Sequence, residues 1–242
     1  MPVVRIVGFG RAGGAFAAAL ASVGWEIAAA LGRDDDPAGA GEGVDVVLIC
    51  TPDAAIASVA AAIDPSDAVV AHVAGSLGLD VLAPHRRRAA AHPLMSLPDA
   101  EVGAERLRSG GWFAVAGDAI AQEIVDALGG RALEVADADR AVYHAAACVA
   151  SNHVVALLGQ VERLAAAIGV PAEAYLALTR ASVDNVERLG AKAALTGPAA
   201  RGDDETIARH LDALPTAERA LYGALVDEAR RLASDADRHH HR

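Results

Sequence analysis

Residues 3–13 constrain this chain more than any other stretch. A largely β-branched run, Val3 to Val7, ends in Gly8-Phe9-Gly10-Arg11-Ala12-Gly13 and passes into a small-residue segment, Ala12 to Val23, closed by Gly24. Strand, glycine turn and helix in that order open a dinucleotide-binding βαβ unit. In such a unit Gly8 permits the tight turn, Gly10 lets the backbone approach a pyrophosphate, and Gly13 allows close packing of helix on strand. N–H groups at the helix start then face the diphosphate, helped by the helix dipole. The competing reading is a glycine turn with a structural purpose only.

The alternation of strand and helix repeats further along the chain. Glu26–Leu31, 45–50 and Ala68–Val73 read as strands, with a helix over Asp53–Ile63. Trp112–Ala116, a helix over Asp118–Leu128 and Ala132–Val135 extend the series. Continuous apolar strands separated by helices indicate a mostly parallel sheet covered on both faces. From about Asp137 the texture becomes helical: Asp139–Ile168 lacks proline and contains only Gly159, with apolar positions at helical spacing. Gly169 reads as a stop, and Pro171 suits the first turn of a helix reaching about Leu189. Two more helices are expected, over 203–213 and 216–233. The expected architecture is a doubly wound α/β domain over residues 1–136, then an all-helical domain over 137–242.

Composition narrows the function. In 242 residues, 32 acids against 21 bases give a net charge of −11, a field that disfavours non-specific nucleic-acid binding. No uninterrupted apolar stretch nears about 18 residues, so no membrane span is expected. The N-terminus lacks the features of a signal peptide, and Cys50 and Cys148 make a poor disulfide framework, which suits a reducing cytoplasm. The tail His239-His240-His241 reads as a frayed end or a tag remnant in preference to a metal site.

Candidate chemistry gathers at the expected strand ends. After the second strand comes Gly32-Arg33-Asp34-Asp35-Asp36. A carboxylate there suits the ribose hydroxyl of NAD and an arginine the 2′-phosphate of NADP; Arg33 comes first, with Arg11 as a second positive contact, so NADP is favoured. The alternative is a solvated loop. Thr51-Pro52-Asp53 ends the third strand, with Asp53 a helix N-cap, a cleft residue or both. Cys50 reads as an apolar strand residue. His72 and Ser76 flank the next strand end, Ser76 as helix cap or as a polar group near the nicotinamide. His92-Pro93 marks another, its proline fixing an extended backbone, while Arg86-Arg87-Arg88 reads as a solvated face.

On the long helix, His144, Cys148, Ser151 and Asn152 share one stripe, and His153 points elsewhere. His144 suits proton donation to a carbonyl; a hydrogen-bonded helix contact is the other reading. Arg201, in the loop Leu195–Asp203 with Thr196, is placed to clamp a substrate carboxylate, and Asp203 to cap the next helix.

These residues together resemble a bacterial family of Rossmann-like proteins with a C-terminal helical domain of formerly unknown function. The glycine motif, Thr51-Pro52-Asp53, His92-Pro93, Tyr143–Ala147 through Ser151-Asn152, and Leu195-Thr196-Gly197-Pro198 through Arg201-Gly202-Asp203 carry the resemblance, which spans nearly the whole chain. The architecture is similar to 6-phosphogluconate dehydrogenase, pyrroline-5-carboxylate reductase and ketopantoate reductase. The resemblance implies NADPH, a small 2-keto acid such as ketopantoate as substrate, and a homodimer, to which the alanine-rich helices would offer apolar faces. Relatives such as ketopantoate reductase place a catalytic lysine on the first helix of the helical domain. Here that helix has none, and Lys192 is the chain's only lysine, leaving His144 or Lys192 to replace it. That departure keeps two alternatives in view: a dinucleotide-binding sensor or scaffold without catalysis, and an imine reductase similar to pyrroline-5-carboxylate reductase.

Overall fold

The computed structural model describes residues 1–234, so the histidine tail lies outside the described residues. A seven-stranded sheet is built from β1 (Val3–Val7), β2 (Glu26–Ile27), β3 (Val46–Ile49), β4 (Val69–His72), β5 (Arg88–Pro93), β6 (Trp112–Gly117) and β7 (Arg131–Glu134), in the order β2-β1-β3-β4-β5-β6-β7. All neighbours are parallel except β5 and β6. The mostly parallel Rossmann-like sheet expected from the apolar runs is therefore present. β2 is shorter than the expected 26–31: after Ile27 the ladder lapses and resumes only as a bridge between Val7 and Leu31.

The sheet's two faces are covered by different helices. Val4, Ile6, Val46, Leu48, Val69, Ala71, Ala89 and Ala91 point to one core, shared with α1 (Arg11–Ser22), α3 (Ala100–Leu107) and α4 (Ile120–Ala127). Val7, Val47, Ile49 and Val70 point to the other, with Ile56, Ala60 and Ile63 on and after α2 (Asp53–Ala62). The alternation follows from the two-residue period of a strand. Small residues bring the helices close: a Cβ on Gly103 would lie 2.7 Å from the Ala15 Cβ, across α1 and α3. Strand order reverses between β2-β1 and β3, and the pairing of Val7 with Ile49 and of Ile49 with His72 brings three carboxyl ends level. This is the switch point at which open α/β sheets bind ligands.

The expected helix over 139–168 forms as α5 (Arg140–Cys148), a π-turn over Val149–His153, and α6 (Val154–Ala167). Helical texture starts near the expected boundary at 136, whereas the chain divides by compactness into Met1–Asn152 and a unit beginning at His153, so α5 belongs to the first. The second unit contains α6, α7 (Ala172–Leu189), α8 (Ala191–Ala194), α9 (Pro198–Arg201), α10 (Asp204–Ala213) and α11 (Thr216–Ser234). Gly169 has φ 69° and stops α6, and Asp203 caps α10 by accepting from the Thr206 N–H at 3.0 Å, both as expected.

Within this unit Glu218 accepts from Gln160 Nε2 at 3.0 Å and from Arg163 Nε at 2.6 Å, joining α11 to α6. Its apolar interior is thin: among the described residues of the unit only Ala165, Ile207 and Val226 are buried hydrophobics. Val155, Ile168, Leu178, Val183 and Leu189 are each more than half exposed. The expectation that no stretch is suited to spanning a membrane needs amending, because the continuous helix Asp137–Ala167 has an 18-residue window of mean hydropathy 1.4 and is long and apolar enough to cross one.

Candidate active site

Two cavities lie among the carboxyl ends of the strands in the first unit. The first, of about 650 Å³, is lined by Gly8, Phe9 and Gly10, by Gly32, Arg33 and Asp35, and by Cys50, Thr51 and Pro52, with Val7, Pro37, Ala55 and Val59 completing its wall. Gly8 sits at φ 94°, and a Cβ there would meet Thr51 at 2.8 Å. A Cβ on Gly13 would collide with the Gly8 carbonyl oxygen, whereas one on Gly10 would meet nothing within 4 Å. The three glycines thus differ in geometry: Gly8 takes a positive φ in the turn, Gly10 borders open space and Gly13 packs against the turn. Thr51 Oγ1 is buried with no hydrogen-bond partner, an orphan donor and acceptor beside the glycine turn. Such a group costs free energy unless something satisfies it.

Arg33 lines this cavity; Arg11, the exposed first residue of α1, does not, and neither does Ala12. Asp35 folds back so that Oδ2 accepts the Gly32 N–H at 2.7 Å. Burial pushes the Cys50 thiol up to about 12, so it is an apolar wall and not a nucleophile. Pro52, not Asp53, occupies the N-cap position of α2, because Asp53 is already its first residue; the Asp53 carboxylate accepts from Ser76 Oγ at 2.9 Å. Ser76 is therefore neither a helix cap nor a wall of either cavity.

The second cavity, of about 580 Å³, is lined by His92, Pro93, Leu94, Met95 and Ser96 and by Tyr143, His144, Ala146, Ala147, Cys148, Ala150, Ser151 and Asn152. The expected stripe of His144, Cys148, Ser151 and Asn152 thus faces a single space, the last two from the π-turn, and His153 is exposed. Turns of this kind are frequent at functional sites. His92 is the last residue but one of β5 and pairs with Ala114. Its Nδ1 is 2.8 Å from the Tyr143 hydroxyl, and its ring lies edge-on to that of His144, with centroids 5.8 Å apart.

Both imidazoles converge on Gly75. A Cβ there would lie 2.5 Å from His144 Nδ1 and 2.8 Å from His92 Nε2, and His144 Nδ1 is buried with no hydrogen-bond partner. Gly75→Ala is therefore expected to displace both rings at once, read as joint shifts of their imidazole NMR signals with the sheet core preserved.

Burial, then the neighbouring His144 and Arg140, push the His92 imidazole down to about 4. A histidine neutral in the folded state but protonated in the unfolded one binds fewer protons when folded, so stability is lost as pH falls from about 6.5 towards 4. The unfolding midpoint should drop across that window, and His92→Asn should flatten the drop. His72, by contrast, is not available to a ligand. It is fully buried, with Nδ1 accepting the Ala74 N–H and Nε2 facing the Gly78 carbonyl, each at 3.2 Å.

Lys192, Thr196 and Arg201 belong to the second unit, on α8, in the loop after it and on α9. Arg87 pairs with Asp118 at 3.1 Å, in keeping with a solvated arginine run. The sequence alone assigns no role to Gly75, to Tyr143 or to Arg140, which is fully buried and ion-paired through Nε to Asp137 at 3.2 Å. The adjacency of Tyr143 to His144 was the available signal for one of them.

These features define a Rossmann-like domain with an open cleft at its switch point, followed by a helical unit. Residues 114–229 match a family model described as a domain of unknown function, DUF2520. No curated protein matches the chain. Among solved structures, the fold is similar to that of a provisionally named NADP oxidoreductase from Bacteroides fragilis, with TM-score 0.79 and 20% identity over 95% of this chain and 98% of that one. It is also similar to a protein from Thermotoga maritima, with TM-score 0.71 and 25% identity over 95% and 98%. A third is a reductive aminase from Aspergillus terreus in complex with NADPH and ethyl levulinate, with TM-score 0.69 and 16% identity over 96% and 94%.

Proposed function

We propose that the protein is an NADPH-dependent reductase of small carbonyl or imine compounds. The observation that carries this reading is the cradle of Gly8, Gly10 and Gly13 against the orphaned Thr51 hydroxyl, opening on a cavity that Arg33 also lines. Backbone N–H groups at the start of α1 would hold the pyrophosphate, Thr51 and Pro52 would border the dinucleotide, and Arg33 would hold the 2′-phosphate. The reduced nicotinamide supplies the hydride. The His92–Tyr143–His144 cavity, with Ser151 and Asn152 on its wall, would take the substrate. Structural neighbours named as an NADP oxidoreductase and as a reductive aminase with NADPH support the same reading.

Within it, 2-keto acids with ketopantoate first are one substrate class, and cyclic imines of the pyrroline-5-carboxylate type are the other. Titrating the protein with NADPH and then adding each compound tests both. Oxidation of the cofactor by either supports the reductase, whereas tight binding without oxidation supports a sensor.

We further infer a homodimer. Three buried apolar residues are too few to offset the ordering entropy of a helical unit this long, and Leu178, Val183 and Leu189 lie open on α7. The helix Asp137–Ala167 is assigned to protein packing and not to a bilayer, because Ser151 and Asn152 line a cavity and Arg163 pairs with Glu218. Val183→Arg is expected to convert a dimer into a monomer in light scattering; an unchanged mass would remove this face from the interface.

A further inference from the structure

The substrate cavity proposed above has thirteen wall residues, and none of them is an aspartate, glutamate, lysine or arginine. Among these wall residues the groups able to give a proton are imidazoles, hydroxyls and a thiol. Of the two imidazoles, His144 turns its Nδ1 towards the Gly75 backbone, where it finds no hydrogen-bond partner. His92 uses Nδ1 on the Tyr143 hydroxyl at 2.8 Å and presents Nε2 to the same glycine. The His92 and Tyr143 rings meet edge to face at 89°, with centroids 5.5 Å apart. His92 is held by the β5–β6 ladder and by Pro93 after it, so its ring is a fixed support and the tyrosine is the group it supports.

From this arrangement we propose that Tyr143 receives the carbonyl oxygen or imine nitrogen of the substrate and gives it its proton, with His92 as the residue that positions it. The proposal rests on the reductase reading and moves the proton-donor role from His144 to Tyr143. With His92 donating from Nδ1 to the phenol oxygen, the tyrosine O–H is free to point at the substrate. As the substrate carbon gains hydride and its π pair moves to oxygen, the Tyr143 O–H bond breaks and a substrate O–H bond forms. The phenolate is then reprotonated by solvent water, which leaves as hydroxide, while His92 keeps its Nδ1 proton and its hydrogen bond. One hydride and one proton convert C=O to CH–OH. Burial raises the Tyr143 pKa, which keeps the phenol protonated across the neutral range, and His92 is neutral there as well.

The test uses isobutyramide, a neutral carbonyl compound that accepts a hydrogen bond but resists reduction, titrated calorimetrically into NADP⁺-loaded protein. Tyr143→Phe should bind it about tenfold more weakly, the scale of one lost hydrogen bond in a cavity, with NADPH affinity within about twofold of wild type. His92→Ala should weaken the amide similarly. His92→Asn, whose amide N–H can take the Nδ1 position, should restore it, a rescue that a purely structural role would not give.

A Tyr143→Phe protein that binds the amide like wild type, or a wild type that does not bind it, overturns the proposal. Undiminished binding by His92→Ala overturns the positioning role. If wild type fails to bind NADPH, the function proposed above falls and the proton-transfer role with it, whereas the same amide titration on nucleotide-free protein still decides whether Tyr143 donates a hydrogen bond to a carbonyl in this cavity.

Discussion

Replacing Arg33 by glutamate is expected to weaken NADPH binding by roughly 100-fold while leaving NADH within about threefold. Charge-assisted hydrogen bonds are worth about 1.5–3 kcal/mol each, and about 1.4 kcal/mol is a factor of ten. Losing one such bond to a 2′-phosphate, at the upper end of that range, accounts for the effect. The loop geometry sharpens the expectation. Asp35, the carboxylate on the same cavity wall, is engaged by the Gly32 N–H at 2.7 Å, so the arginine is left to face the ribose end. Fluorescence titrations with both nucleotides read the ratio directly. An unchanged ratio would move the 2′-phosphate away from Arg33.

Gly13→Ala should have the largest effect on the folded state. The added Cβ would collide with the Gly8 carbonyl oxygen and crowd the Ile6 side chain at 3.1 Å. The first obstacle is backbone at a tight turn, so relief requires α1 to move off the sheet. That motion disturbs the α1 face carrying Phe16, Ala19 and Leu20, all fully buried. Overpacking a core costs about 1–3 kcal/mol, occasionally more, and the rigid obstacle here places the loss at the upper end. Chemical denaturation should show a midpoint lowered accordingly, together with lost nucleotide binding. By contrast, Gly10→Ala meets nothing within 4 Å and should preserve stability, so any loss of nucleotide affinity in that variant reports the approach of the ligand itself.

Much of the fold was legible because its signals are local. The glycine motif, most of the apolar strands and the features at Asp203 and Gly169 each follow from a few neighbouring residues and appear where expected, the shortened β2 being the exception. The stripe from His144 to Asn152 was legible from helical spacing alone. What could not be read were contacts made across the sheet. His72 looked like the other strand-end residues, yet its ring turns inward onto Ala74 and Gly78. Ser76 looked like a cap, yet it reaches Asp53, 23 positions away. The meeting of His92, Tyr143 and His144 over Gly75 joins a strand, a loop and a helix, and no sequence period encodes it. The π-turn was equally hidden, since one extra residue in a turn leaves no mark in an alanine-rich helix.

The measurement that bears most directly on the central claim is a titration of the wild-type protein with NADPH and NADH, monitored by nucleotide fluorescence. If the glycine cradle, Thr51 and Arg33 hold a phosphorylated dinucleotide, NADPH binds saturably at one site per chain, at least about tenfold more tightly than NADH. If neither nucleotide binds, the cradle is a structural turn and the reductase assignment is wrong.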